Sequence, residues 1–173
     1  MKTILTILFF VPLICWGQSN EFNDYLSKFR AIEIPLEINQ ANFHEQFPGS
    51  VWNKPVSIDE KYVKDFIFDE DSTVSRFITP DYGYGYGMKW ETCKYHIVIV
   101  MIQRNQGDNI FNFDRLDLML ILYDRDGVRL DRKIISRNNE VWFSNISVKT
   151  CCHIDIQQIM MNIKSSELID INK

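Results

Sequence analysis

Lys94-Tyr95-His96-Ile97-Val98-Ile99-Val100-Met101-Ile102-Gln103 carries β-branched and apolar side chains on both of the faces between which a strand alternates. A strand apolar on both sides is covered on both sides, so this stretch predicts a central strand. A polar turn follows at Arg104-Asn105-Gln106-Gly107-Asp108-Asn109, and Leu116 to Tyr123 (LDLMLILY) repeats the two-sided pattern. Asp124-Arg125-Asp126-Gly127 reads as a tight turn, with Val128 to Ser136 returning beside its predecessor. After a turn at Arg137-Asn138-Asn139-Glu140, further strands are expected at Val141 to Lys149, Cys152 to Gln158 and Leu168 to Ile171. Strands at this spacing, about six over residues 75–171, predict an α+β fold built on one antiparallel sheet or a partly closed barrel.

Upstream the period changes from 2 to 3.6. Phe22, Tyr25, Leu26 and Phe29 fall at i, i+3, i+4 and i+7, which predicts an amphipathic helix over 20–30. Ile34-Pro35-Leu36 calls for extended backbone. Residues 39–56 read as a loop tied down by Phe43, Phe47, Val51 and Trp52. Ser57-Ile58-Asp59-Glu60 has the form of a capping box, opening a second helix with Ile58, Tyr62, Val63, Phe66 and Ile67 on its apolar side. Two short N-terminal helices are thus expected ahead of the sheet.

The chain starts with Met1-Lys2, an apolar run from Thr3 to Ile14, then Cys15-Trp16-Gly17 and a polar stretch. The run is too short for a bilayer core, which takes about 20 residues. This is the layout of a secretory signal peptide cleaved after Gly17, leaving residues 18–173 as one domain. Lipid anchoring at Cys15 is the alternative, but Pro12-Leu13-Ile14 lacks the small residue that usually precedes such a cysteine. The expected location is therefore secreted or periplasmic, with no membrane-spanning segment.

Cleavage would leave Cys93, Cys151 and Cys152. In an oxidising compartment Cys93 could bridge to Cys151 or Cys152, closing a loop of roughly 60 residues worth about 4 kcal/mol. Simple buried thiols and a vicinal Cys151–Cys152 link are the alternatives. A metal site is not expected. Cys93 and His96, three apart in a strand, face opposite ways, and Cys151 and His153 would need two more ligands from elsewhere. Asp124-Arg125-Asp126-Gly127 lacks the distal bidentate Glu of a calcium loop.

Asp81-Tyr82-Gly83-Tyr84-Gly85-Tyr86-Gly87-Met88-Lys89-Trp90-Glu91 is the most unusual stretch. As a strand it would set Tyr82, Tyr84, Tyr86, Met88 and Trp90 on one face. Such a row could stack a sugar or an extended peptide, making Tyr82, Tyr84, Tyr86 and Trp90 the ligand-binding candidates. The plainer reading turns that face into the core, with the glycines allowing curvature.

The histidines His44, His96 and His153 neighbour no nucleophile or metalloprotease motif, so no catalytic residue and no cofactor are expected. With 19 Lys plus Arg against 23 Asp plus Glu, the net charge of −4 excludes a basic nucleic-acid footprint.

Phe22-Asn23-Asp24-Tyr25-Leu26-Ser27-Lys28-Phe29 with Ile34-Pro35-Leu36, and Leu120-Ile121-Leu122-Tyr123-Asp124-Arg125-Asp126-Gly127 running into a second strand, resemble small secreted proteins of Bacteroidota. The resemblance implies export and a β-rich fold, and carries no catalytic residues. The expectation is an exported, non-catalytic binding domain whose partner is a carbohydrate, a peptide or another protein. A hydrolase using paired carboxylates on surface polymers, or a periplasmic immunity or inhibitor protein, are the alternatives.

Overall fold

The computed structural model describes residues 20–47, 56–68, 82–104, 116–138, 142–160 and 163–171. The signal-peptide segment, the 48–55 part of the expected loop, Asp69 to Ser72 and the turns at 105–109 and 139–140 lie outside them. The helix α1 covers 20–27, followed by strands β1 (Arg30–Ala31) and β2 (Leu36–Ile38). Short helices α2 (Phe43–Gln46) and α3 (Glu60–Tyr62) come next, the latter running into a π-helical turn at Val63–Ile67. The long strands are β3 (Tyr82–Glu91), β4 (Tyr95–Arg104), β5 (Leu116–Asp124), β6 (Arg129–Asn138), β7 (Trp142–Thr150), β8 (His153–Met160) and β9 (Ile163–Asp170).

They form two sheets rather than one, ordered β1-β3-β4-β5-β6 and β2-β7-β8-β9, and neither closes into a barrel. Ile97, Ile99 and Met101 of β4 join Leu118 and Leu120 of β5 against Ile146, Val148, Ile154 and Ile156 of the second sheet. The other face of the first sheet, with Val98, Val100, Ile102, Met119 and Ile121, is covered by Phe22, Tyr25, Leu26 and Phe29 of α1 and by Val63, Phe66 and Ile67. The first sheet is therefore the middle layer, which is why β4 and β5 are apolar on both faces. The second sheet is an outer layer: Ile146, Val148, Ile154 and Ile156 are buried while Lys149, Thr150 and Gln157 are exposed. Phe43 and Phe47 lie in the core between the sheets.

Several expectations are corrected here. The helices do not stand as an N-terminal pair, because β1 and β2 come between them, and β1 runs parallel to β3. Ser57 does not cap α3. It bridges to Gly85, while Asp59 holds the cap position without a side-chain hydrogen bond. The last strand begins at Ile163, well before Leu168, with Ile163 to Ser166 pairing with Gln157 to Met160. Its first half was hidden because Lys164-Ser165-Ser166-Glu167 is polar throughout and shows no alternation. Asp24 takes hydrogen bonds or ion pairs from both Lys28 and Tyr62, which ties α1 to α3.

Candidate functional site

The aromatic strand does not present a single face. Tyr86 pairs with Val100 and Met88 with Ile99, so Gly87 is an extra residue in the ladder, and this β-bulge inverts the alternation. Before it, Tyr82, Tyr84 and Tyr86 turn toward the helices. After it, Met88 and Trp90 enter the core between the sheets. Strict alternation therefore fails at one position. Tyr84 and Trp90 are only 5% and 4% exposed, so neither offers a ring to solvent. The Tyr84 ring meets Phe68 edge-on at 5.5 Å, and Tyr86 meets Phe29 at 5.1 Å. Burial pushes the hydroxyls of Tyr84 and Tyr86 well above the usual phenol range, and the Tyr86 hydroxyl has no hydrogen-bond partner.

The thiols collect at one end of the sandwich. Cys93 is exposed on the β3–β4 turn, while Cys151 and Cys152 occupy the β7–β8 turn. All three are free thiols in this structure. The Cys151 and Cys152 sulfurs are 3.5 Å apart. Trp90 links the two turns, its indole Nε1 donating to the Cys151 carbonyl at 3.0 Å. Arg125 fixes the first turn through the Thr92 carbonyl, the Cys93 carbonyl at 3.4 Å and Glu91 Oε2 at 3.0 Å. Glu91 Oε1 lies 3.3 Å from His96 Nδ1. Burial lowers the His96 pKa, and the adjacent Glu91 only partly offsets this. Burial is the largest single influence and would raise the Glu91 pKa, but Arg125 and His96 together outweigh it and the net shift is down. Cys151 is raised, first by its contact with the Cys152 thiol and then by burial. Among the described residues no group of three or more His, Cys, Asp or Glu side chains is arranged to hold a metal ion. His44 sits on α2, and His153 Nε2 lies 4.0 Å from Asp170 Oδ2 rather than against a thiol.

A cleft of about 180 Å³ opens where β5 and β6 face β9. Its floor is Leu120, Leu122, Ile169 and Ile171. Its rim is Asp131, Arg132, Lys133 and Asp170, two charges of each sign. β6 and β9 are the terminal strands of their respective sheets, and Lys133 pairs with Glu167 across the opening. Leu130 is an extra residue in the β5–β6 ladder, since Leu122 pairs with Asp131 and Tyr123 with Arg129. That second bulge turns Leu130 outward. Leu130, Val128 and Leu168 are 50%, 57% and 59% exposed, the large apolar side chains that stand open among the described residues.

Sequence reasoning missed this cleft because its two walls come from different sheets. One local signal was present: Leu168-Ile169-Asp170-Ile171 puts apolar side chains on both faces of a terminal strand. Among the described residues no helix is long and apolar enough to cross a membrane. Comparison with protein-family models, with curated proteins and with solved structures gives no match.

Proposed function

We propose that this chain is an exported, non-catalytic binding domain that receives an extended segment of a partner polypeptide along the seam between β6 and β9. The observation that carries the reading is the cleft between two terminal strands. An edge strand offers unpaired backbone donors and acceptors to an incoming strand, and a pocket beside it selects a side chain. The volume favours a side chain over a cofactor or drug-sized ligand, which occupies about 300–1,000 Å³. A rim of both signs suits a polar main chain around one apolar anchor. The burial of Tyr84 and Trp90 argues for a polypeptide over a stacked sugar. An immunity or inhibitor protein would be one form of such a domain, with the residue 1–17 segment as its export signal.

Selection from a displayed random-peptide library tests the reading. Asp131→Ala with Lys133→Ala changes two side chains that line the cleft and leaves the apolar core intact. Peptides selected on the native chain should bind the double variant about tenfold more weakly, a loss of ~1.4 kcal/mol. Unchanged affinity overturns the reading.

A hydrolase is the second reading, because Asp131 and Asp170 line one cleft. It requires release of fragments from a surface polysaccharide, abolished by either Asp131→Asn or Asp170→Asn. The paired positive charges of Arg132 and Lys133 on the same rim favour binding instead.

A further inference from the structure

We propose that Cys151 and Cys152 are a surface dithiol that closes to a disulfide by exchange with a disulfide-bearing donor, and that Cys93 is the alternative partner of Cys151. This site is separate from the cleft and does not depend on how the cleft is used.

Three observations support it. The two sulfurs are already 3.5 Å apart, and since adjacent Cα atoms stand only about 3.8 Å apart, closure takes side-chain rotation together with some give in the Cys151–Cys152 peptide. They sit on a turn with Cys151 exposed and Cys152 half-buried, which lets a donor reach Cys151 first. The Trp90 to Cys151 hydrogen bond holds the β3–β4 turn, with Cys93 three residues past Trp90, against the β7–β8 turn. Cys93 is close enough that its charge raises the Cys151 pKa, as expected for thiols that share a site. That same shift makes Cys151 a slow nucleophile at neutral pH, so exchange should accelerate toward alkaline pH.

The chemistry balances without a metal. The Cys151 thiolate attacks one sulfur of a donor R–S–S–R. The donor bond breaks, and R–S⁻ leaves and takes up the proton that Cys151 lost. The Cys152 thiolate then attacks the Cys151 sulfur of the mixed disulfide and expels a second R–S⁻, which takes the Cys152 proton. The protein loses two electrons and two protons, and the donor becomes two R–SH. In the absence of Cys152, the Cys93 thiolate performs the second attack.

The test uses the folded full chain with oxidised glutathione as donor, then alkylation, trypsin and mass spectrometry without reduction. Trypsin leaves Cys151 and Cys152 together on the peptide Thr150 to Lys164, and Cys93 on Trp90 to Lys94. The expected product is the first peptide unalkylated and lighter by two hydrogens, with Cys93 alkylated. In Cys152→Ser the two peptides should be joined through Cys93 and Cys151. Three alkylated cysteines, stable glutathione adducts alone, or a wild-type link to Cys93 would overturn the proposal. A second readout needs no variant: phenylarsine oxide, which two neighbouring thiols retain, should protect Cys151 and Cys152 from alkylation while Cys93 reacts. Equal reaction at all three positions contradicts it.

Discussion

The Ile99 carbonyl oxygen lies 2.3 Å from the point where a Cβ on residue 87 would stand, so Gly87 is required where β3 crosses its bulge. The clash is with backbone in a central strand, which cannot rotate away as a side chain could. Gly87→Ala should therefore destabilise by about 2 to 3 kcal/mol, read as a lowered urea midpoint with an unchanged slope. Wild-type stability in this variant would mean that the bulge lies elsewhere.

The bulge also sets the cost of removing each aromatic. Tyr84 is buried against Phe68, and Tyr84→Ser should cost about 3 kcal/mol by loss of packing. Tyr82 is half-buried at the strand's start, and Tyr82→Ser should cost about 1 kcal/mol. Equal small effects in thermal unfolding would show that both rings face solvent.

Much of this fold was readable in the sequence, for identifiable reasons. The two-sided apolar runs of β4 and β5 name the middle layer, and the Phe22-Tyr25-Leu26-Phe29 stripe names the helix that covers it. The simple alternation of Asn145-Ile146-Ser147-Val148 and Ile154-Asp155-Ile156 was the sign of a second, one-sided sheet. Periodicity shows which faces are covered, not which strands are neighbours, so one sheet and two sheets read alike. Bulges at Gly87 and Leu130 are single-residue insertions whose consequence depends on the partner strand's register. They redirect Trp90 inward and Leu130 outward, and the expected aromatic platform turns on the first of them.

Beneath α1, the Tyr25 and Tyr123 hydroxyl oxygens are 3.3 Å apart, and Tyr123 donates to the Phe66 carbonyl at 2.9 Å. Tyr123→Phe leaves that carbonyl and the Tyr25 hydroxyl short of a partner and should cost about 1 to 2 kcal/mol. Burial raises both phenols above their ordinary pKa of 10.0. Their contribution is complete below that value and is lost as pH rises past it, because only the unfolded chain then releases these protons. In a spectrophotometric alkaline titration these two tyrosines should ionise together with unfolding. Smooth ionisation of every tyrosine in the folded chain would contradict their burial.

His96 acts at the other end of the pH scale. Burial depresses its folded pKa below the ordinary 6.5, so the unfolded chain binds its proton first. Stability should be full above pH 6.5 and decline as pH falls from there toward the depressed value. Glu91, also held below its ordinary 4.5, adds a further loss at more acidic pH. His96→Gln should flatten the first decline and also weaken the second, because His96 helps to hold Glu91 down, as followed by urea midpoints across acidic buffers.

The seam between the two sheets is tested most directly by amide NMR on isotope-labelled protein titrated with a library-selected peptide. Binding along β6 and β9 should move the signals of residues 129–135 and 166–171 most. Shifts centred on the outer face of the second sheet, at Asn145, Ser147, Asp155 and Gln157, would contradict it.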